Sequence, residues 1–197
     1  MRTIRRVVAL LAAILPAAAM AQAPQANTAY LSAEIGNGKV GLRCPADVYC
    51  SRVDSSGVLR AGYRLDPSWA AELSYRHVEA DWGIWGYEYS AEVTGVGLGA
   101  AYTARLSTNV SAVARLGIVA NKLELQPAVD VLSKNPGTLP TRSVKPYVGA
   151  SLSWQFARRW STSLNADWTR ADLREVANGP KQTVTVRTLG AGIAFHF

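Results

Sequence analysis

Seven charged residues stand in stretches where every second position is apolar: Glu34, Arg60, Arg64, Glu72, Arg76, Arg115 and Asp167. All seven fall in the phase opposite to the apolar one. Arginines and carboxylates gathered on one face can pair as charge-assisted hydrogen bonds, and such pairs either fill an interior or line a path for ions. A second candidate is the pair Cys44 and Cys50, six apart, with neither histidine nearby and no CxxC spacing. In an oxidising compartment that spacing predicts a disulfide closing a small loop, ahead of a metal pair. The chain has two histidines, His77 and His196. Nothing in the motifs calls for a cofactor or a metal.

The elements that must position these charges are strands. Thr28 to Gly36 alternates Ala29, Leu31, Ala33 and Ile35 with Tyr30, Ser32 and Glu34. The same period of two runs through Val58–Leu65, through Ala71, Leu73 and Tyr75, and through Glu92–Ala104. It returns in the stretch holding Val110, Leu116 and Ile118, in Tyr147–Phe156, in the stretch from Thr162 to Trp168, and in Thr183–Phe197. That makes eight strands. Short turns at Asp66-Pro67-Ser68, Arg105–Asn109 and Ala157–Trp160 alternate with long loops at Asn37–Gly57, Glu79–Ala91, Asn121–Ser143 and Ala171–Gln182.

Before the first strand comes a leader: Arg2, Arg5 and Arg6, an apolar run from Val7 to Leu15, a break at Pro16, and Ala19-Met20-Ala21. This is the layout of a signal peptide cleaved after Ala21, so we expect residues 1–21 to be removed and 22–197 to form one domain. The apolar run is too short for a membrane-crossing helix, which needs ~20 residues. The full chain carries +7; without the three leader arginines, 18 basic residues face 14 acidic ones, or +4. That modest excess argues against a nucleic-acid partner.

The last strand, TVTVRTLGAGIAFHF, ends on an aromatic residue, with Leu189, Ala191, Ile193, Phe195 and Phe197 on one face. Here the chain resembles the bacterial outer-membrane β-barrels, whose final strand is read by the barrel-assembly machinery. Gly192, Phe195 and Phe197 fit that recognition pattern, while Gly190 stands where a polar residue is expected. Lys145-Pro146-Tyr147-Val148-Gly149-Ala150 and YRLDPSWAAELSYRH are similar to segments of the OmpA-like and OmpX-like small barrels. The resemblance implies an all-β, eight-stranded antiparallel up-and-down transmembrane β-barrel, with short periplasmic turns and long outer loops. A soluble barrel of the same strand number would turn its apolar phase inward. The terminal Phe197, the loop rhythm and the glycine-rich second phase favour lipid.

In that setting the seven charges face the lumen. An eight-stranded barrel is just wide enough for side chains to fill it, so we expect a paired core that largely blocks the lumen; a gated ion path is the alternative. Partners implied are outer-membrane lipid and lipopolysaccharide, the assembly machinery, and a possible host or cell-surface ligand; a monomer suffices. Loop two offers Trp82, Trp85, Tyr87 and Tyr89 as an interfacial girdle or as a contact surface. Some relatives of this class are lipid-modifying enzymes. The PagL-like deacylases place Ser two residues after their catalytic His; here Glu79 holds that place after His77, and we expect no enzyme activity.

Overall fold

The computed structural model describes residues 29–41, 53–84, 87–127, 140–174 and 181–197. They form eight strands: β1 (Ala29–Val40), β2 (Val53–Arg64), β3 (Trp69–Ile84), β4 (Tyr87–Arg105), β5 (Val110–Pro127), β6 (Thr141–Ala157), β7 (Trp160–Arg174) and β8 (Lys181–His196). Each is antiparallel to its chain neighbours, and β1 pairs with β8 from Tyr30↔His196 to Val40↔Val186, so the sheet closes into a barrel. The leader, Cys44, Cys50 and Trp85 lie outside the described residues.

The apolar phase faces outward, as the sequence implies. Ile35, Leu98, Leu116 and Leu164 are all largely exposed on the outer wall. The short turns are also where the sequence puts them. In the first, Asp66 Oδ1 accepts the backbone N–H groups of Ser68 at 2.7 Å and Trp69 at 2.8 Å, the local bonding that suits Asp to turns. Aromatic pairs ring this end: Trp69 with Tyr102, and Trp160 with Phe195, each at 5.0 Å between ring centroids.

The long loops are where the structure corrects the sequence reading. Strands run into all four. β3 and β4 continue to Ile84 and Tyr87, in register at Trp82↔Tyr89, through all the described residues of the stretch read as loop two. The reason is an exchange of chemistry between the faces. On β1 the outward series Leu31, Ala33, Ile35 gives way to Asn37 and Lys39, while the inward series Ser32, Glu34 gives way to Val40. On β3, outward Leu73 and Tyr75 give way to His77 and Glu79, while inward Glu72, Ser74 and Arg76 give way to Val78 and Ala80. The phase never slips; only which face is greasy changes. Above the exchange the strands obey the rule for a sheet in water, apolar inside and polar outside.

This upper section, the collar, has its own core: Val40, Val78, Ala80, Val93, Leu123, Ala171, Leu173, Val184 and Val186. The ladder between β1 and β2 ends at Gly36↔Ser56, and that between β6 and β7 at Tyr147↔Thr169, although all four strands run further. The collar is therefore two facing sheets, β2 to β6 and β7-β8-β1, clamped on that apolar layer. Where β6 and β7 part, side chains replace the ladder: Thr169 Oγ1 donates to Pro146 O at 3.0 Å, and the Asp172 N–H donates to Ser143 Oγ at 3.1 Å. Lys145 and Asp172 close the seam with an ion pair at 2.8 Å.

Candidate functional site

Below the collar the barrel interior holds three buried cations, Arg60, Arg76 and Arg115, and three buried carboxylates, Glu34, Glu72 and Asp167. The formal charges cancel, which is the condition for keeping ions out of water at tolerable cost. Arg60, on β2, forks between strands: Nη1 donates to Glu34 on β1 and Nη2 to Asp167 on β7. One guanidinium thus reaches a partner 107 residues away in sequence. Arg115 Nε donates to both oxygens of Glu72, at 3.0 and 3.2 Å, and its Nη1 donates to Ser151 Oγ at 3.0 Å. The Tyr30 hydroxyl donates to the same Glu72 carboxylate.

Two of the sequence-predicted residues stand apart from these pairs. Arg76 makes no ion pair among the described residues; its guanidinium carbon lies 4.8 Å from the centre of the Tyr147 ring, a cation–π contact. Arg64 is half-buried near the short-turn mouth, 6.0 Å from the centre of the Tyr30 ring. Tyr30 and Tyr147 are the functional side chains that the sequence reading missed. The signal was their place in the inward phase beside glycines. Those glycines are seats rather than empty space. The Tyr147 ring lies against Gly117 and Gly99, Tyr30 against Gly62, and Asp167 against Gly149, each too close for a Cβ. Gly192, read as part of the assembly signal, lies under the Glu34 side chain; Phe195 and Phe197 stack edge-to-face at 5.0 Å.

This seating has a measurable consequence. Gly62→Ala is expected to push Tyr30 off Glu72 and cost ~1–3 kcal/mol, the usual penalty of overpacking. The double variant Gly62→Ala/Tyr30→Ala should lose much less than the sum of the singles in urea unfolding, because one clash is shared.

At the short-turn end a cavity of ≈ 310 Å³ opens, with Arg64, Ser153, Ser163 and His196 in its wall and Glu34 and Arg115 among its lining. Inside it Ser161 Oγ and His196 Nε2 are 2.9 Å apart, the spacing of a nucleophile and its base. No group holds the other ring nitrogen: His196 Nδ1 is buried without a partner among the described residues. The dyad lacks the third group that orients a catalytic imidazole. His77, the other histidine, faces outward midway along β3 with Nδ1 3.4 Å from Glu92 Oε1. Trp82, Tyr87 and Tyr89 lie on the upper parts of β3 and β4.

A family model described as "Outer membrane protein beta-barrel domain" matches residues 7–197. Curated proteins give no match. Solved structures do. Neisserial surface protein A superposes with a TM-score of 0.61 at 14% identity, covering 86% of this chain and 97% of that one. A major outer membrane protein from Thermus thermophilus gives 0.51 at 15% identity over 86% and 99% of the two chains. Ail, the attachment invasion locus protein of Yersinia pestis, gives 0.50 at 16% identity over 85% and 97%. At these identities the likeness is one of fold.

Proposed function

Since the chain belongs to the outer membrane protein beta-barrel domain family, we propose that it works as a sealed barrel that anchors a surface-exposed collar and four loops, and that it acts through what those loops touch. The observation that carries the sealing is the double filling of the interior: a charge-balanced layer of Arg60, Arg76, Arg115, Glu34, Glu72 and Asp167, and above it the apolar layer around Val78, Val93 and Val186. A conducting path would have to wet both. In this reading residues 1–21 are the export signal, Gly192, Phe195 and Phe197 address the chain to the assembly machinery, and the mature protein is a monomer in outer-membrane lipid and lipopolysaccharide with no catalytic duty.

Planar-bilayer recording of refolded protein, with heat-modifiable gel migration as the check on folding, is expected to show no stable openings. Arg60→Ala should stay silent too, since it leaves the apolar layer in place. Large ohmic channels from the unmodified protein would overturn the sealed reading and leave a narrow ion path in its stead.

Two further expectations belong to the loops. Cys44 and Cys50 should resist alkylation until a reductant is added, read as a mass shift on the intact protein. Deleting residues 82–89 should leave a folded barrel, because the ladder between β3 and β4 from Trp69↔Tyr102 to Asp81↔Ser90 stays intact. Ail, of the same fold, is an attachment protein by name; if these aromatics are a contact surface here, the deletion should abolish adhesion to host cells or matrix, whereas unchanged adhesion would assign them to the interface instead.

A further inference from the structure

The outer wall of the collar is electrically lopsided. On β3, β4 and β5 three carboxylates stand side by side, Glu79 opposite Glu92 and Glu92 opposite Glu124. His77 and Lys122 are the basic groups beside them, with exposed Arg142 opposite Lys122 on β6. On β7, β8 and β1 the signs reverse. Lys39 stands directly opposite Arg187, and Arg170 lies one pleat further up β7, opposite Thr185. All three cations are exposed, and none makes an ion pair with a described residue.

Like charges directly opposite on a sheet repel and are destabilising. Here two of them are held on one face with a third close by; the carboxylate on that face, Asp172, stands one pleat above Arg170 and is engaged by Lys145 and Thr183, and none stands opposite Lys39 or Arg187. Their height is informative. Arg187 is ten residues before Phe197, about 34 Å along a strand at ~3.4 Å per residue. At the usual tilt of ~40° that is about 25 Å along the membrane normal, the height of the apolar band of such barrels. Leu189 and Ile35, both exposed, lie just below the cations on the same face, and Trp168 sits opposite Arg187. The cluster therefore stands where acyl chains end and headgroups begin.

We propose that Lys39, Arg187 and Arg170 form a binding surface for the phosphate groups of a phosphorylated glycolipid in the outer leaflet. The guanidinium of Arg187 supplies two parallel donors, and Lys39 supplies a point charge across the ladder, so an oxyanion between them turns a repulsion into two charge-assisted contacts. Trp168 offers its ring to the boundary region just beneath, where indoles settle. The acidic wall of β3 to β5 would repel the same headgroup, so the lipid is held on one side of the barrel. The proposal rests on the family's membrane placement and not on the sealed lumen: a conducting barrel would leave it unchanged.

The test uses the mature chain folded in phosphatidylcholine nanodiscs, with bisphosphorylated lipid A as the probe and native mass spectrometry as the readout. Lys39→Gln/Arg187→Gln is expected to weaken retention of lipid A about 10- to 100-fold, the range for losing hydrogen bonds between charged groups. Removing both phosphates from the lipid should do the same to the unmodified protein. Glu79→Gln/Glu92→Gln, on the opposite wall, should not weaken it. Arg170→Gln alone gives a milder variant should the double one fold poorly. Unchanged retention in folded Lys39→Gln/Arg187→Gln would overturn the proposal. So would equal retention of phosphatidylglycerol, because the surface would then be sensing bulk negative charge.

Discussion

Arg60→Met is expected to lower the unfolding free energy by ~3–5 kcal/mol, the cost of breaking a buried ion cluster by removing one partner. The cation is almost fully buried, and its loss leaves Glu34 and Asp167 with no other cation bonded to them among the described residues. Arg60→Lys should recover only part of the loss. A single ammonium lacks the planar fork that reaches β1 and β7 together. The decisive comparison is the triple variant Arg60→Met/Glu34→Gln/Asp167→Asn. It removes all three charges and should regain most of the stability, since the penalty comes from uncompensated charge rather than from lost contact. Urea unfolding in lipid vesicles, followed by tryptophan fluorescence, reads all three. A triple variant as unstable as Arg60→Met would mean that the guanidinium matters as packing, not as a charge.

The second large effect tests the exchange of chemistry between faces. Leu116 faces outward in the apolar belt and is 64% exposed, so Leu116→Arg is expected to cost ~2–4 kcal/mol near the bilayer centre. Six residues further along the same face of β5, Lys122 carries a charge already and pairs with Glu124. Lys122→Leu should change stability by less than ~1 kcal/mol, the most that an exposed ion pair contributes. Inside the collar the order reverses. Val93 is fully buried in the apolar layer, and Val93→Asp should be among the most damaging single changes there, because the carboxylate would be buried without a partner. Equal costs for Leu116→Arg and Lys122→Leu would sink the placement of the bilayer edge between them.

Much of the fold was legible because a barrel strand is a one-dimensional object. Period two fixes the faces, and short turns such as Asp66-Pro67-Ser68 fix the hairpins. Every outward residue named from Leu31 to Ile193 stands outside in the structure. The loops were misjudged for a related reason. A pattern search for apolar-outside strands stops where Ile35 yields to Asn37 and Lys39, or Tyr75 to His77 and Glu79. The strand does not stop there; the solvent outside it changes, and the inner face turns apolar to suit.

The sequence by itself determined the strand count, the closed antiparallel class and which residues share the inner face. Those follow from local periodicity and from the need to keep charge off the apolar face. That six of the seven charges named on that face are buried, and that those six balance, came from the structure. Only the tertiary structure decided who meets whom. That Arg60 bridges Glu34 and Asp167, that Arg76 rests on Tyr147, that glycines seat both tyrosines, and that Lys39 confronts Arg187 all depend on the register between strands and on closing β1 against β8. Register is a property of pairs of strands, and no single strand carries it.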